Sequence, residues 1–322
     1  MKDDNTIRQL SAPAPISEQK WPEEALPIVS ISCITYNHEN FIQDCLDGFL
    51  MQETQFPVEI LIHDDASTDQ TATIIREYER RYPNVIKAIC QKENQWSKGI
   101  RPNPEFNFPR ARGKYIAFCE GDDFWTDKNK LQKQVAIVAK SPHVKLCFHK
   151  VFVRKEGGGD KGLTSFPGEL AKDLYSCEEL VTQNIIPTCS VLAVREAVID
   201  TPSWYYRLPM NDWPRWIMAC KDGYAHGINK EMGVYRKHDG GVWSPIRRSA
   251  QLTGTYDFYC ELEKNGPPLA KIAAARARRA LFLMALDLEQ SSLKRINNHV
   301  VFGPLLKVWR KFINKNFLHP NF

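Results

Sequence analysis

The sequence lacks several features that would place it in a well-marked class of protein. It has no run of 18 apolar residues, and the run at residues 280–286 is only seven long, which predicts that no helix spans a membrane. It also has no GxSxG elbow, no GxxxxGK[ST] phosphate loop and no HExxH zinc motif. These absences argue against serine hydrolases, P-loop nucleotidases and zinc proteases.

The nine cysteines lack the spacing of a zinc site or a redox motif, because no two of them are arranged as CxxC. Most lie in apolar runs, as Cys33, Cys119 and Cys147 do, and we expect them to be small buried side chains rather than disulfide partners. Reduced thiols of this kind are typical of the cytoplasm. Residues 1–26 contain no apolar core segment, so we expect a flexible arm and not a secretory signal.

From residue 27 onward, short β-branched runs alternate with helical patterns. Strands are predicted over residues 28–35, 58–62, 85–90, 115–119, 144–153 and 188–194. Helices are predicted around 41–49 and over 70–82, 128–140 (with Asp127 as its cap) and 213–221. From residue 249 on the chain is predicted to be helical, with breaks at residues 266–268 and 303–304. Such alternation predicts an α/β fold with a mostly parallel sheet covered by helices on both faces.

Charge is distributed unevenly along the chain. Residues 271–322 contain ten Lys or Arg and two acids, a net charge of +8, so with +5 overall residues 1–270 carry −3. Apolar residues in this tail are interleaved with cations: Leu305, Leu306, Val308, Trp309, Phe312, Ile313, Phe317 and Leu318 beside Lys307, Arg310, Lys311 and Lys315. A helix of this pattern either lies on an anionic membrane surface or packs on the catalytic domain or on a second subunit.

Two acidic pairs follow predicted strands. Asp64-Asp65 follows the second strand and Asp122-Asp123 the fourth, at the sheet edge where ligands bind in such folds. Adjacent carboxylates repel each other, and a cation such as Mg²⁺ or Mn²⁺ relieves that cost. The alternative is that these acids, with Ser67, cap helices and turns.

Four segments in order resemble the nucleotide-sugar half of the family 2 glycosyltransferases, which have the GT-A fold. The segments are VSISCITYN, VEILIHDDASTD, RGKYIAFCEGDDFW and DKNKLQKQ. The resemblance covers residues 27–153 and implies transfer of a sugar from a nucleoside diphosphate to an acceptor hydroxyl, with inversion at the anomeric carbon. It implies that Tyr36 stacks on the base, that Asp65 hydrogen-bonds the base (usually uracil), that Asp122 holds the ribose and that Asp123 binds the divalent metal.

The less regular second half supplies the other candidates. The family often places Glu-Asp before a helix here, and this chain has Asn211-Asp212 with Pro214 suited to a first helical turn. Asp212 is therefore the predicted general base, with an N-cap as the alternative. His238 precedes Gly240-Gly241, which predicts a mobile loop, and it is predicted to complete the metal shell or touch the diphosphate. A lone histidine is also a common surface or core residue.

These patterns predict four regions: an arm (1–26), a nucleotide-sugar half (27–153), an acceptor half (154–248) and a basic helical extension (249–322). The QxxRW motif of processive family members is absent, which favours transfer of one sugar. Bacterial relatives usually build surface polysaccharides. The runner-up is a catalytically inactive nucleotide-sugar or carbohydrate-binding protein. A nucleic-acid binder is disfavoured by the acidic main part, and a nucleotidyltransferase by the missing Gly-rich loop.

Overall fold

The computed structural model describes residues 9–22, 24–155, 163–208, 210–238 and 248–295. The chain divides into two compact units, residues 1–275 and 276–322, and the sheet lies in the first. Along the described part of the chain, no helix combines the length and apolar character needed to cross a membrane. The predicted break at residues 303–304 and the basic tail from residue 296 lie outside the described residues.

Strands and helices alternate through the first 155 residues, as the sequence predicts. The strands are β1 (Ala14–Pro15), β2 (Val29–Thr35), β3 (Glu53–Thr54), β4 (Val58–Asp64), β5 (Ile86–Cys90), β6 (Tyr115–Phe118), β7 (Phe124–Trp125), β8 (Val144–Lys155), β9 (Thr164–Phe166), β10 (Leu174–Ser176), β11 (Leu192–Val194) and β12 (Tyr224–Lys237). The α-helices are α1 (Ile42–Leu50), α2 (Thr71–Arg81), α3 (Phe108–Arg110), α4 (Lys130–Lys140), α5 (Cys177–Thr182), α6 (Arg195–Val198), α7 (Asp212–Ala219), α8 (Arg248–Asn265) and α9 (Pro268–Arg295).

The main sheet is mixed, with its path in the order β10-β12-β8-β11-β6-β2-β4-β5. Strands β6, β2, β4 and β5 are parallel, and β12 is parallel to β8. Between these two parallel groups, β11 runs antiparallel to both β6 and β8. The predicted α/β fold is confirmed, and the carboxyl ends of β2, β4 and β6 form one edge of the sheet.

The core forms where the β-branched strands meet the apolar faces of the helices. In β2, Ile31 and Cys33 are fully buried, and α1 adds Cys45 and Phe49 at a spacing of four. Burying a large apolar side chain contributes about 1.5–3 kcal/mol, so this layer stabilises the sheet edge that follows it. All nine cysteines are free thiols, and seven are buried.

Two local predictions are corrected. Residues 188–194 are not one strand: Thr188–Ser190 is a 3₁₀ turn, and only Leu192–Val194 pairs in the sheet, because Pro187 directly precedes the turn. Helix α4 begins at Lys130 rather than residue 128. The N-cap residue is Asn129, and the Asp127 carboxylate, two residues before it, accepts the Asn129 N–H at 2.9 Å and pairs with Lys133 at 2.7 Å.

The described part of the expected arm is packed on the sheet domain. Strand β1 pairs antiparallel with β3, and the Leu10 N–H donates to the Gln55 carbonyl at 2.8 Å. Ile16 is 1% exposed and joins the core. A single apolar residue among prolines is a weak signal in sequence, which is why the segment was expected to be loose.

A buried lysine lies beside the turn that follows β6. Lys130 is fully buried, its Nζ lies 3.9 Å from the centroid of the Trp125 ring, and it donates to Gln134 Oε1 at 2.8 Å. The Trp125 indole in turn donates to the Cys189 carbonyl at 2.7 Å. Burial lowers the pKa of Lys130 to about 7.

Candidate active site

The loops after β2 and β4 are tied to each other at the carboxyl edge of the sheet. The Asn37 N–H donates to Ser67 Oγ at 2.8 Å, and Asn37 Oδ1 accepts the Thr68 N–H at 2.8 Å. Asn37 has a φ of 54°, a conformation that asparagine tolerates better than most residues. Tyr36, just before this tie, is 44% exposed, so its ring is accessible at the edge of the sheet.

The acidic pair at the end of β4 organises the loops and does not cap α2. Asp64 accepts both the hydroxyl and the N–H of Ser67, and burial raises the pKa of Asp64 despite those bonds. Asp65 is 4% exposed and accepts the N–H groups of Gln95 and Trp96 at 2.7 and 3.0 Å. The predicted base-binding carboxylate therefore also holds the segment after β5. A carboxylate has about four acceptor positions, so two backbone partners do not exhaust it.

The Gly121-Asp122-Asp123 turn is packed tightly behind the end of β2. A Cβ on Gly121 would lie 2.5 Å from Thr35 Oγ1, so only glycine fits there without a shift of β2 or of the turn. Asp123 is 2% exposed, and its Oδ1 accepts the Arg236 N–H at 2.8 Å. Burial, with the charges of Asp122 and Glu120, raises the pKa of Asp123.

Arg236 of β12 holds this turn in place from the other side. Its guanidinium donates to the Asp122 carbonyl at 2.9 Å and pairs with Asp44 of α1. The same group lies 4.3 Å from the Phe124 ring centroid. The sequence alone did not separate Arg236 from a solvated surface cation, whereas the structure shows that it joins the acidic turn, α1 and β12.

The side chain of Asp122 lies between two histidines. The His238 Nε2 is 3.0 Å from Asp122 Oδ2, and the His38 Nε2 is 3.8 Å from the same oxygen. Ligand atoms of the three residues all lie within 4.8 Å of one another. Burial lowers the pKa of His38. Although burial opposes the charged form of Asp122, the hydrogen bond with His238 and the nearby His38 lower the pKa of that carboxyl.

One carboxylate and two imidazoles form a donor set that suits a divalent metal ion. The structure thus brings His238 to Asp122 and not to Asp123, although the sequence predicted Asp123 and His238 as the metal pair. His38, which the sequence analysis did not single out, is the third member of the group. Its position three residues beyond the end of a strand was the only signal that could have found it.

Asp212 lies in the same electrostatic neighbourhood as the acidic turn. It is the first residue of α7, and its Oδ2 accepts the Thr188 hydroxyl at 3.2 Å. Burial raises the pKa of Glu120 to about 8, and the charges of Asp122 and Asp212 act in the same direction. The side chain of Asn211, the N-cap of α7, makes no capping hydrogen bond.

Two further histidines are buried and have local partners outside this group. His63 is buried and stacks on Phe106 with ring centroids 4.7 Å apart. His149 is fully buried, and its Nδ1 lies 2.7 Å from the Lys150 carbonyl. Residues 240–241, predicted as a mobile loop after His238, lie outside the described residues.

The α/β sheet carries acidic residues at the carboxyl ends of β4 and β6, on either side of β2, which is where ligands bind in folds of this class. The chain belongs to glycosyl transferase family 2, whose family model matches residues 30–195, just over half of the sequence.

Proteins similar to this chain include both uncharacterized and assigned members. An uncharacterized protein of Mycobacterium tuberculosis, Rv1520, is 40% identical over 219 residues, which are 67% of this chain and 60% of that protein, so the chain matches less than two thirds of that relative. The putative teichuronic acid biosynthesis glycosyltransferase TuaG of Bacillus subtilis is 28% identical over 74% of this chain and 89% of its own. The Escherichia coli UDP-Glc:alpha-D-GlcNAc-diphosphoundecaprenol beta-1,3-glucosyltransferase WfaP is 28% identical over 67% of this chain and 80% of its own.

Solved structures share the fold at low sequence identity. The Staphylococcus aureus TarS 1-349 complex with UDP-GlcNAc has a TM-score of 0.57 at 20% identity, covering 73% of this chain and 65% of that one. The mannosyltransferase PcManGT of Pyrobaculum calidifontis, in complex with GDP-Man and Mn²⁺, has a TM-score of 0.59 at 18% identity. The match covers 92% of this chain and 85% of that one. These likenesses confirm the GT-A-like fold.

Proposed function

We propose that the protein is a metal-dependent, inverting glycosyltransferase. It moves one sugar from a nucleoside diphosphate, with UDP-sugars favoured, to a hydroxyl of a glycan or lipid-linked acceptor in bacterial surface polysaccharide synthesis. The observation that carries this proposal is the 3.0 Å contact between His238 Nε2 and Asp122 Oδ2, which joins the end of β12 to the acidic turn after β6. The UDP-sugar donor and the polysaccharide role named for relatives support it.

The donor nucleotide is assigned to the tied loops after β2 and β4. Tyr36 offers an exposed aromatic face on which a base can stack, worth about 1–3 kcal/mol. Asp65 retains acceptor positions for a base N–H next to the segment that it holds. The ribose is assigned to the acidic turn, where Asp122 is the predicted partner.

The divalent metal, Mn²⁺ or Mg²⁺, is assigned to the Asp122 side of the same turn. Asp122 and His238 fit it, because a carboxylate and an imidazole already converge there with a spacing suited to one ion. A bound ion of this type supplies positive charge to the diphosphate as the glycosidic bond breaks. The geometry favours Asp122 over Asp123 as a direct ligand, because Asp123 is buried against the Arg236 N–H. The metal role of Asp123 remains a prediction.

The acceptor hydroxyl is deprotonated by Asp212 in this proposal. A general base must lie on the face of the sugar opposite the departing diphosphate. Asp212 comes from the second half of the fold, whereas the acidic turn comes from the first. The Thr188 hydroxyl donates to Asp212 Oδ2 and so orients the carboxylate. The acceptor oxygen then bonds to the anomeric carbon as its proton passes to Asp212, while the bond between that carbon and the diphosphate oxygen breaks and the nucleoside diphosphate leaves with the electron pair.

We propose that the protein acts in the cytoplasm and that its basic tail binds the inner face of the cytoplasmic membrane. The name of WfaP describes a lipid-linked acceptor, and an acceptor of that kind would meet the enzyme at the membrane surface. Cations near an anionic bilayer contribute about 1 kcal/mol each to such binding.

The test is a donor panel on the purified full chain. UDP-, GDP- and dTDP-sugars are compared by thermal shift and by donor hydrolysis, each with Mn²⁺ and with EDTA. We expect one donor class to raise the melting temperature and to be hydrolysed only with metal. Stabilisation by a donor without any hydrolysis or transfer would identify the runner-up, an inactive nucleotide-sugar binder. Stabilisation by no donor would refute the proposal.

A further inference from the structure

His38 is positioned as histidines that bind metal ions usually are. Its Nδ1 lies 3.0 Å from Thr35 Oγ1, its backbone N–H donates to Thr71 Oγ1 at 2.8 Å, and its Nε2 faces Asp122. Metal-binding histidines almost always engage their second ring nitrogen in a hydrogen bond, which fixes the tautomer and the ring. In His38 the partner of this second ring nitrogen is the hydroxyl of Thr35, the last residue of β2.

The second imidazole comes from the opposite end of the fold and meets the same oxygen. His238 directly follows the long strand β12, and its ring packs on Phe41 with centroids 4.8 Å apart. The centroids of the two imidazoles are 5.8 Å apart. The side chains of His38 and His238 are only 13% and 6% exposed, so both rings are held within the protein and are not free surface groups.

Two imidazoles from different elements converge on one carboxylate oxygen. Their Nε2 atoms lie 3.0 and 3.8 Å from Asp122 Oδ2. Donor nitrogens lie about 2.0–2.1 Å from a metal ion, so ligands that already lie within 4.8 Å of one another need only small side-chain movements to share one.

We propose that His38, Asp122 and His238 together bind the divalent ion, and that the two imidazoles make this site select transition-metal ions over Mg²⁺. Nitrogen ligands suit first-row transition ions, while Mg²⁺ prefers oxygen ligands and retains its waters. The inference rests on the proposed function for the role of the ion, but binding of the ion is measured without any transfer reaction.

The experiment measures binding of Co²⁺, Mn²⁺ and Mg²⁺ to the full chain by calorimetry, with and without UDP. The variants are His38→Gln, His238→Gln, Thr35→Val and, as the matched control at an exposed position, His143→Gln. We expect Co²⁺ and Mn²⁺ to bind more tightly than Mg²⁺. We expect each of the two ligand variants to weaken Co²⁺ binding by at least about tenfold, since even the partners of ligands contribute about 10- to 100-fold. The Co²⁺ affinity of the Thr35→Val variant should lie between the affinities of the two ligand variants and that of wild type.

A further variant tests the chemistry rather than the fold. His38→Glu replaces nitrogen by oxygen, so it should raise Mg²⁺ affinity relative to Co²⁺, a change that general damage does not produce. Co²⁺ binding by His38→Gln equal to wild type, or absence of binding to wild type with and without UDP, would overturn the inference. Metal binding as expected in a chain that transfers no sugar would instead overturn the proposed function and leave the site intact.

Discussion

At the residue scale, a substitution of Asp212 distinguishes a general base from a residue that only stabilises the fold. We predict that Asp212→Asn lowers kcat by about 10²–10⁴-fold, because the amide cannot accept the acceptor proton. The affinity for UDP should stay within about twofold, since Asp212 lies in the second half of the fold and not in the nucleotide loops. Steady-state kinetics and calorimetry with UDP measure the two effects.

Thr188→Val is the control for this prediction. It removes the hydrogen bond to Asp212 Oδ2 and keeps the carboxylate, so a loss smaller than that of Asp212→Asn is expected. If Asp212→Asn weakened UDP binding as much as it slowed turnover, Asp212 would be a structural residue of α7.

Single residues could be proposed from the sequence where a strand end marks them. Tyr36, Asp65 and the Asp122-Asp123 pair all follow predicted strands, and the structure places them at one edge of the sheet. The sequence does not show which strands are neighbours, so it could not place His38 of the β2 loop beside Asp122 of the β6 turn. The Asp123 side chain is held by the backbone N–H of Arg236, which belongs to a strand that the sequence did not reveal.

At the scale of elements, the close approach of the acidic turn to β2 predicts a strong effect of one methyl group. Gly121→Ala would place its Cβ 2.5 Å from Thr35 Oγ1 and 2.7 Å from Thr35 Cβ. Overpacking of this kind costs about 1–3 kcal/mol. We expect lower stability in urea and weaker metal and donor binding, because the turn and the end of β2 must move apart.

The matched control is Gly168→Ala, where an added Cβ meets no atom within 4 Å. It should leave stability within about 0.5 kcal/mol of wild type. Equal stabilities for the two alanine variants would show that the turn relaxes without strain.

The buried lysine of α4 predicts how stability depends on pH. The pKa of Lys130 falls from 10.5 in the unfolded chain to about 7 in the folded protein. Between these values the unfolded state holds one more proton, so stability rises with pH across this window, by up to about 1.4 kcal/mol per pH unit. Below about pH 7 both states are protonated and the slope vanishes.

Lys130→Met keeps the volume and removes this titration. Urea unfolding at pH 7, 8 and 9 should show wild type gaining stability relative to Lys130→Met as the pH rises. Lys140→Met, at an exposed position of the same helix, is the control. If the difference in the free energy of unfolding between wild type and Lys130→Met stayed constant from pH 7 to pH 9, the lowered pKa of Lys130 would be wrong.

Elements with strong periodicity were predicted to within a few residues, and irregular ones were not. Helix α2 and strands β2 and β4 follow clear apolar patterns. Strand β12 was missed because Gly227, Lys230, Glu231 and Gly233 interrupt its pattern, and it forms by pairing with β8 across two register shifts in that region. This pairing is a tertiary effect that local sequence does not encode.

At the scale of the whole molecule, the basic tail predicts reversible binding to anionic membranes. Replacing Lys307, Arg310, Lys311 and Lys315 by Gln removes four cations worth about 1 kcal/mol each, so binding should fall by about 10³-fold. Sedimentation with vesicles containing phosphatidylglycerol measures this, and phosphatidylcholine vesicles are the control. Wild type that fails to pellet at low salt, or a variant that pellets equally well, would refute the membrane role.

The contact between Asp122 and His238 joins residues that are 116 positions apart in the chain. His238 directly follows β12, so this contact exists only when β12 has paired with β8 and the turn after β6 is in place. An ion bound there stabilises only the completely folded chain, in proportion to its free concentration. Cells short of that ion would therefore hold more of the protein in partly open forms, which proteases remove. The supply of the metal would then set the abundance of the protein as well as its turnover.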